Sequence, residues 1–159
     1  MSQYINFYIR TKSGEFISTH DWSRNNYVYR AFEDAPYAKV RKLSEKDIKH
    51  ALNRINSEVE SYNKHLTRLT AMKNDLLAAT NKEDIMDHLN YYYQDVEDIR
   101  EELEDLKFAE NFIVFLQEMK NTFENTDPDK TVPDNGQKTS IWYGIDAPIY
   151  PKDTDIIND

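Results

Sequence analysis

Apolar residues recur at alternating spacings of four and three along two stretches of the chain. Ile48, Leu52, Ile55, Val59, Tyr62, Leu66 and Leu69 carry this rhythm in the first, and Ile85, Leu89, Tyr92, Val96, Ile99, Leu103 and Leu106 repeat it in the second. A seven-residue apolar repeat is the seam of a coiled coil, and the short link between the stretches predicts an antiparallel helical hairpin. Ser44 followed by Asp47 resembles a capping box with Asp in place of Glu, flanked by Leu43 and Ile48 at the staple positions, so the first helix begins near Glu45. It extends to about Ala79, where Thr80 and Glu83 repeat the capping-box pattern and start a second helix. At ~1.5 Å per residue the two helices are roughly 50 and 60 Å long, which predicts an elongated molecule. Beyond Leu106 the rhythm loosens into a wider stripe of Ala109, Phe112, Ile113, Leu116, Met119 and Phe123, suited to packing on a globular body.

The N-terminal pattern has a period of two. Ile5, Phe7 and Ile9 alternate with Asn6, Tyr8 and Arg10, as in a half-buried strand. Thr11-Lys12-Ser13-Gly14 turns the chain into a second strand over Glu15 to Thr19, completing a β-hairpin. Asp21 or Ser23 is placed to cap a short helix that presents Val28, Ala31 and Phe32 on one face and ends before Pro36. Tyr37 to Lys42 reads as a third strand and Ser140 to Tyr143 as the last.

These elements define an α+β fold: a small antiparallel β-sheet (N-terminal hairpin, third strand, C-terminal strand) with a short helix, plus a long antiparallel coiled-coil hairpin. Residues 1–159 are expected to form a single domain. Within it, 1–43 and 138–150 make a β-rich body, 44–125 the helical hairpin, 126–137 a loop marked by Pro128, Pro133 and Asn135-Gly136, and 151–159 a frayed tail.

Charge changes this picture from one of shape to one of partners. The formal net charge is −9, and residues 83–110 hold eleven Asp/Glu against two Lys/Arg, whereas 1–43 hold seven Lys/Arg against four Asp/Glu. A surface with so few cations is a poor match for phosphates, so direct nucleic-acid binding is not expected and a protein with a basic surface is the better partner. Aromatic residues make up 13% of the chain, 11 of them Tyr, a composition that suits contact surfaces. No Cys is present, which excludes disulfides, thiol nucleophiles and thiolate metal sites. The start of the chain lacks a secretory pattern and no apolar run approaches the length of a membrane span, so a cytoplasmic protein away from membranes is expected.

Two groups of residues stand out as candidate sites. Tyr91 and Tyr93 flank the seam residue Tyr92 and must point away from it; with Glu97, Glu101 and Glu104 they form a candidate partner-binding face. The same rings could instead pair two copies of the hairpin, so a homo-oligomer, dimer or higher, is also expected. Arg10, His20, Ser23, Arg24, Asn25 and Tyr29 gather donors near the start of the short helix, a candidate site for an anion or nucleotide-like ligand. His20, His50, His65 and His88 have no metal-ligand spacing, and the acidic residues of the second long helix are too dense for any carboxylate pair to carry meaning. No metal site, no cofactor and no catalytic residue is expected.

The run Asn6-Phe7-Tyr8-Ile9-Arg10, then Ser23-Arg24 with Tyr29, Ala31 and Phe32, and Pro36-Tyr37 with Lys39 before Leu43 resembles small proteins encoded by phages and prophages of Gram-positive bacteria. The resemblance covers about the first 45 residues and the helical region that follows is of the same general kind. It implies a phage origin and the bacterial host cytoplasm as setting, assigns no activity, and favours a non-enzymatic inhibitor of host anti-phage defence that acts by stoichiometric binding through its acidic coiled coil. The alternatives are an oligomeric protein that sequesters a phosphorylated small molecule or nucleotide signal, and a structural coiled-coil component of virion assembly.

Overall fold

A computed structural model of the chain describes residues 4–11, 13–19, 25–78, 82–124 and 138–158. The elements in order are β1 (Ile5–Thr11), β2 (Phe16–Thr19), α1 (Asn26–Ala31), β3 (Val40–Lys42), α2 (Glu45–Ala78), α3 (Lys82–Glu124), β4 (Lys138–Ile145), a 3-10 turn (Asp153–Asp155) and β5 (Ile156–Ile157). The fold is α+β, with α2 and α3 packed as a helical hairpin beside a five-stranded sheet of order β2-β1-β4-β3-β5.

Four of the strands pair antiparallel, from β2 through β1 and β4 to β3. The fifth, β5, pairs parallel with β3 and makes the sheet mixed. This strand belongs to the segment expected as a frayed tail. It is ordered because the Lys152 N–H donates to Asp155 Oδ2 at 2.8 Å, and the turn so formed delivers Ile156 to the edge of β3 opposite Val40.

The strand alternation expected for β1 is real, but its second face is not merely polar. Ile5 and Phe7 meet Ile141, Tyr143 and Ile145 of β4 in the main core, with Val28 from α1 and Phe32 from its C-cap, Ile48 and Ile55 from α2, and Leu106, Phe112, Ile113 and Leu116 from α3. Phe7 sits at the centre of this core, edge-on to Phe32 at 5.4 Å and to Phe112 at 5.3 Å between ring centroids. On the other face Tyr8, Val40, Trp142 and Ala147 form a second cluster, with Phe16 and Ile156 against it. The Tyr8 hydroxyl donates across that cluster to the Pro148 carbonyl at 2.7 Å and to that of Ala147 at 3.2 Å. Residues 147–148 are thereby drawn over the sheet.

The junction of the link before β3 with the end of β4 is close. The Ile145 N–H donates to Pro36 O and the Ala38 N–H to Ile145 O, both at 2.7 Å, while Ala38 and Asp146 take left-handed φ values of 58° and 48°. A Cβ on Gly144 would lie 1.9 Å from the Lys39 carbonyl oxygen. Only glycine fits there.

The start of α2 is as the sequence indicates: the Ser44 N–H donates to Asp47 Oδ2 at 2.9 Å and the Asp47 N–H to Ser44 Oγ at 3.2 Å. The cap of α1 differs. Asn25 takes that role, its Oδ1 accepting from the Tyr27 and Val28 N–H groups, whereas Asp21 and Ser23 lie outside the described residues, as do Thr80 and the loop 126–137. Arg54 of α2 closes the other end of α1 by donating to the Arg30 and Ala31 carbonyls, and it pairs with Asp34 at 3.0 Å. Farther along the hairpin, among the described residues, α2 and α3 share the seam with each other, and Leu66, Leu89, Tyr92 and Val96 are half-buried there although Leu69 and Ile99 are buried, against the full burial of Leu106 and Ile113 beneath the sheet.

Two outcomes check this account. Gly144→Ala should lower stability by about 1–3 kcal/mol, the usual cost of an atom forced into packed backbone, read as a shift in the urea midpoint; an unchanged midpoint would mean that β4 and Lys39 are not this close. Burial raises the Tyr8 phenol to about 12 from its ordinary 10.0. A raised folded-state pKa gives stability that is full below pH 10 and lost as pH rises towards 12. Tyr8→Phe should lessen that alkaline loss while removing about 1 kcal/mol at neutral pH. Equal alkaline loss in both proteins, measured by urea unfolding at neutral and alkaline pH, would contradict it.

Candidate functional site

The outer face of α3 is the candidate site. At about 100° per residue, Tyr93, Glu97, Glu101 and Glu104 fall on one stripe opposite the seam residues Ile99 and Leu106, and Phe108 and Phe115 continue that stripe beneath the sheet end of the helix. Tyr93 is 67% exposed, Phe108 49% and Phe115 44%. The stripe thus reads, from the hairpin turn inward, as an aromatic ring, three carboxylates and two further rings. Arg100 pairs with Glu97 at 3.0 Å. Among the described residues no cation lies at ion-pair distance from Glu101 or Glu104.

The structure does not bring Tyr91 and Tyr93 together. Two residues apart on a helix, they diverge by about 200°; Tyr91, 74% exposed, projects to the other flank of α3, on the side of Asp98. It is therefore a neighbour of the stripe and not part of it. Near the turn, Met72, Leu77 and Met86 are also exposed, beside the exposed Lys73, Asn74 and Asp75.

The anion cluster expected around the short helix is not assembled among the described residues. Arg10 lies on the second face of the sheet, its guanidinium 4.8 Å above the Phe16 ring and 5.0 Å from the Trp142 ring. Tyr29 packs against the main core on the opposite face, and Asn25 spends its side chain on the cap of α1 and on the Asp105 carbonyl, to which its Nδ2 donates at 3.0 Å. The physical reason is the strand period: Arg10 and Phe7 must face opposite sides of β1, and α1 follows Phe7. His20, Ser23 and Arg24 lie outside the described residues.

What does lie beside Asn25 is a polar cavity of about 320 Å³ between α1, α2 and α3, lined by Tyr27, Arg30, Tyr62 and Glu102 among others. The Tyr27 hydroxyl donates to the Glu102 carboxylate and is 3.0 Å from the Tyr62 hydroxyl. Burial, with these two neighbours, pushes the Tyr27 phenol well above its usual range. It stays protonated at neutral pH and serves as a donor. The arrangement ties α1 to both long helices at the root of the hairpin. Its sequence trace was faint: Tyr62 is a polar-tipped ring at a seam position, and Glu102 directly precedes the seam residue Leu103.

Among the described residues no group of three His, Asp or Glu is placed to hold a metal ion, and no helix is long and apolar enough to cross a membrane. No family model matches the chain, and neither a curated protein nor a solved structure matches it.

Tyr27→Phe should destabilise the fold by about 1–2 kcal/mol, because the Glu102 carboxylate would lose a charge-assisted donor inside the cavity. Tyr62→Phe should cost less. Equal melting temperatures for Tyr27→Phe and the parent would show that the Tyr27–Glu102 contact carries no stability.

Proposed function

We propose that the protein is a non-enzymatic interaction module that binds a basic protein partner stoichiometrically through the outer stripe of α3. The observation that carries this reading is the stripe itself: exposed rings at both ends of a row of carboxylates, two of which have no ion pair among the described residues. Aromatic anchors supply contact energy where they are desolvated, and the carboxylates between them select Lys- or Arg-bearing surfaces and speed the encounter. A helix or groove edge with basic residues between two apolar positions fits this order.

Charge also argues for a foreign partner over a second copy on this face. Two copies apposed along α3 would bring together stretches that each hold eleven acidic against two basic residues, and like charges across an interface oppose association. Self-association, which the coiled-coil pattern also suggests, is better served by the exposed apolar side chains Leu77 and Met86. The resemblance of the N-terminal segment to phage-encoded proteins supports a bacterial cytoplasmic setting and a host defence protein as the target, with inhibition by occupancy of its basic surface.

Reversal of Glu97, Glu101 and Glu104 to Lys should weaken capture of basic proteins from bacterial host lysate, lessen its salt sensitivity, and leave the melting transition in place. Tyr93→Ala and Phe108→Ala should each weaken capture without changing its salt dependence. Recovery of the same proteins by the folded charge-reversed variant would show that the acidic stripe is not the binding surface.

A further inference from the structure

In a chain of net charge −9, five basic side chains gather in one groove. Where β3 passes into α2, a groove of about 870 Å³ opens against the sheet, and Arg10, Arg41, Lys42, Lys46 and Lys120 all line it. They arrive from four separate elements: Arg10 from β1, Arg41 and Lys42 from β3, Lys46 from the first turn of α2, and Lys120 from the last turns of α3. Such convergence is a product of the tertiary fold and not of a basic run in the sequence.

Each cation is held in a defined way. The Arg10 guanidinium is stacked on the Phe16 and Trp142 rings, which fixes its place in the wall of the groove. Arg41 donates to the Tyr143 hydroxyl at 2.7 Å. The Lys120 side chain is only 7% exposed, with its ammonium 4.0 Å from the Glu45 carboxylate at the mouth of the groove. Lys42 and Lys46 are exposed on the rim.

Three acidic residues, Asp34, Glu45 and Asp47, also line the groove, and each has a partner, Glu45 facing the Lys120 ammonium. Asp34 pairs with Arg54 at 3.0 Å, and Asp47 accepts from the Ser44 N–H and hydroxyl at 2.9 Å each. Because that capping box fills the start of α2 with the chain's own carboxylate, the basic side chains, and not the helix terminus, define the anionic character of a ligand here. A volume in the range of small-molecule sites, open to solvent and bounded by five cations against three carboxylates that each have a partner, matches a compact anion better than an extended chain.

We propose that this groove is a binding site for a phosphate-rich small molecule, an organic or inorganic di- or triphosphate, held by Arg10, Lys42, Lys46 and Lys120. The site is separate from the outer stripe of α3, so either reading can fail without the other. Trp142 lies on its wall, which makes binding visible in tryptophan fluorescence.

The test is calorimetric titration of the full chain with inorganic triphosphate, ATP and adenosine at low ionic strength, with fluorescence as a second readout. Inorganic triphosphate and ATP should bind in competition with each other and adenosine should not bind. Lys42→Glu combined with Lys46→Glu, both on the exposed rim, should weaken both phosphate ligands by about tenfold or more with the melting temperature preserved, and Lys120→Met should weaken them as well. The proposal is overturned if neither triphosphate binds, if the folded double variant binds as tightly as the parent, or if adenosine binds as well as ATP. Tighter binding of a single-stranded oligonucleotide than of ATP through the same lysines would also overturn it.

Discussion

The organisation of the molecule depends on one uninterrupted helix serving two different packing environments. Over the part nearer the turn α3 shares a narrow seam with α2, at Glu102 it also meets Tyr27 of α1, and over its second half it lies beneath the sheet and buries Leu106, Ala109, Phe112, Ile113 and Leu116. A two-helix seam covers only a strip of each helix, whereas a sheet covers a broad face. The loss of strict heptad spacing after Leu106 is the covalent record of that change. Because α3 is a single rod of 43 residues, anchoring its sheet end fixes the direction in which the rest of the hairpin projects, with Tyr93, Glu101, Glu104 and Phe108 exposed on its outer face.

The sheet end is held by two cores of unequal size. The larger is organised around Phe7, which contacts rings from α1, α3 and β4, so that deleting this one side chain would loosen three elements together. The smaller depends on residues 147–148 and 156 returning over the far face of the sheet, drawn in by the Tyr8 hydroxyl and by pairing of β5 with β3. Left-handed backbone at Ala38 and Asp146 and the absence of a side chain at Gly144 are what let the chain pass closely enough for this to happen.

The same architecture separates charge. Acidic residues line the projecting part of α3 while cations gather in the groove between β3, the start of α2 and the end of α3. Opposite charges kept apart on one rigid body produce a field with direction, which orients an approaching charged partner before contact. Protein recognition on the hairpin and anion recognition at the sheet are in that sense two uses of a single charge distribution.

The sequence by itself determined the elements whose periodicity is local and repeated: the two long helices with the start at Ser44, the alternation of β1, and the acidic character of α3. It also placed Glu97, Glu101 and Glu104 outside the seam, since helical spacing alone dictates that. Only the tertiary structure decided which residues meet across elements. Tyr27, Tyr62 and Glu102 are 35 and 40 residues apart in turn, and no local rule links them. Arg10 left the cluster to which proximity in sequence had assigned it because the strand period turns it away from the face that α1 covers, and it lines the groove at the start of α2 with Lys42, Lys46 and Lys120. The C-terminal segment, polar and short, carried no periodic signal, and it became β5 because β3 offered an unpaired edge and Val40 an apolar surface for Ile156. Period is a property of neighbours along the chain, whereas a site is a property of neighbours in space.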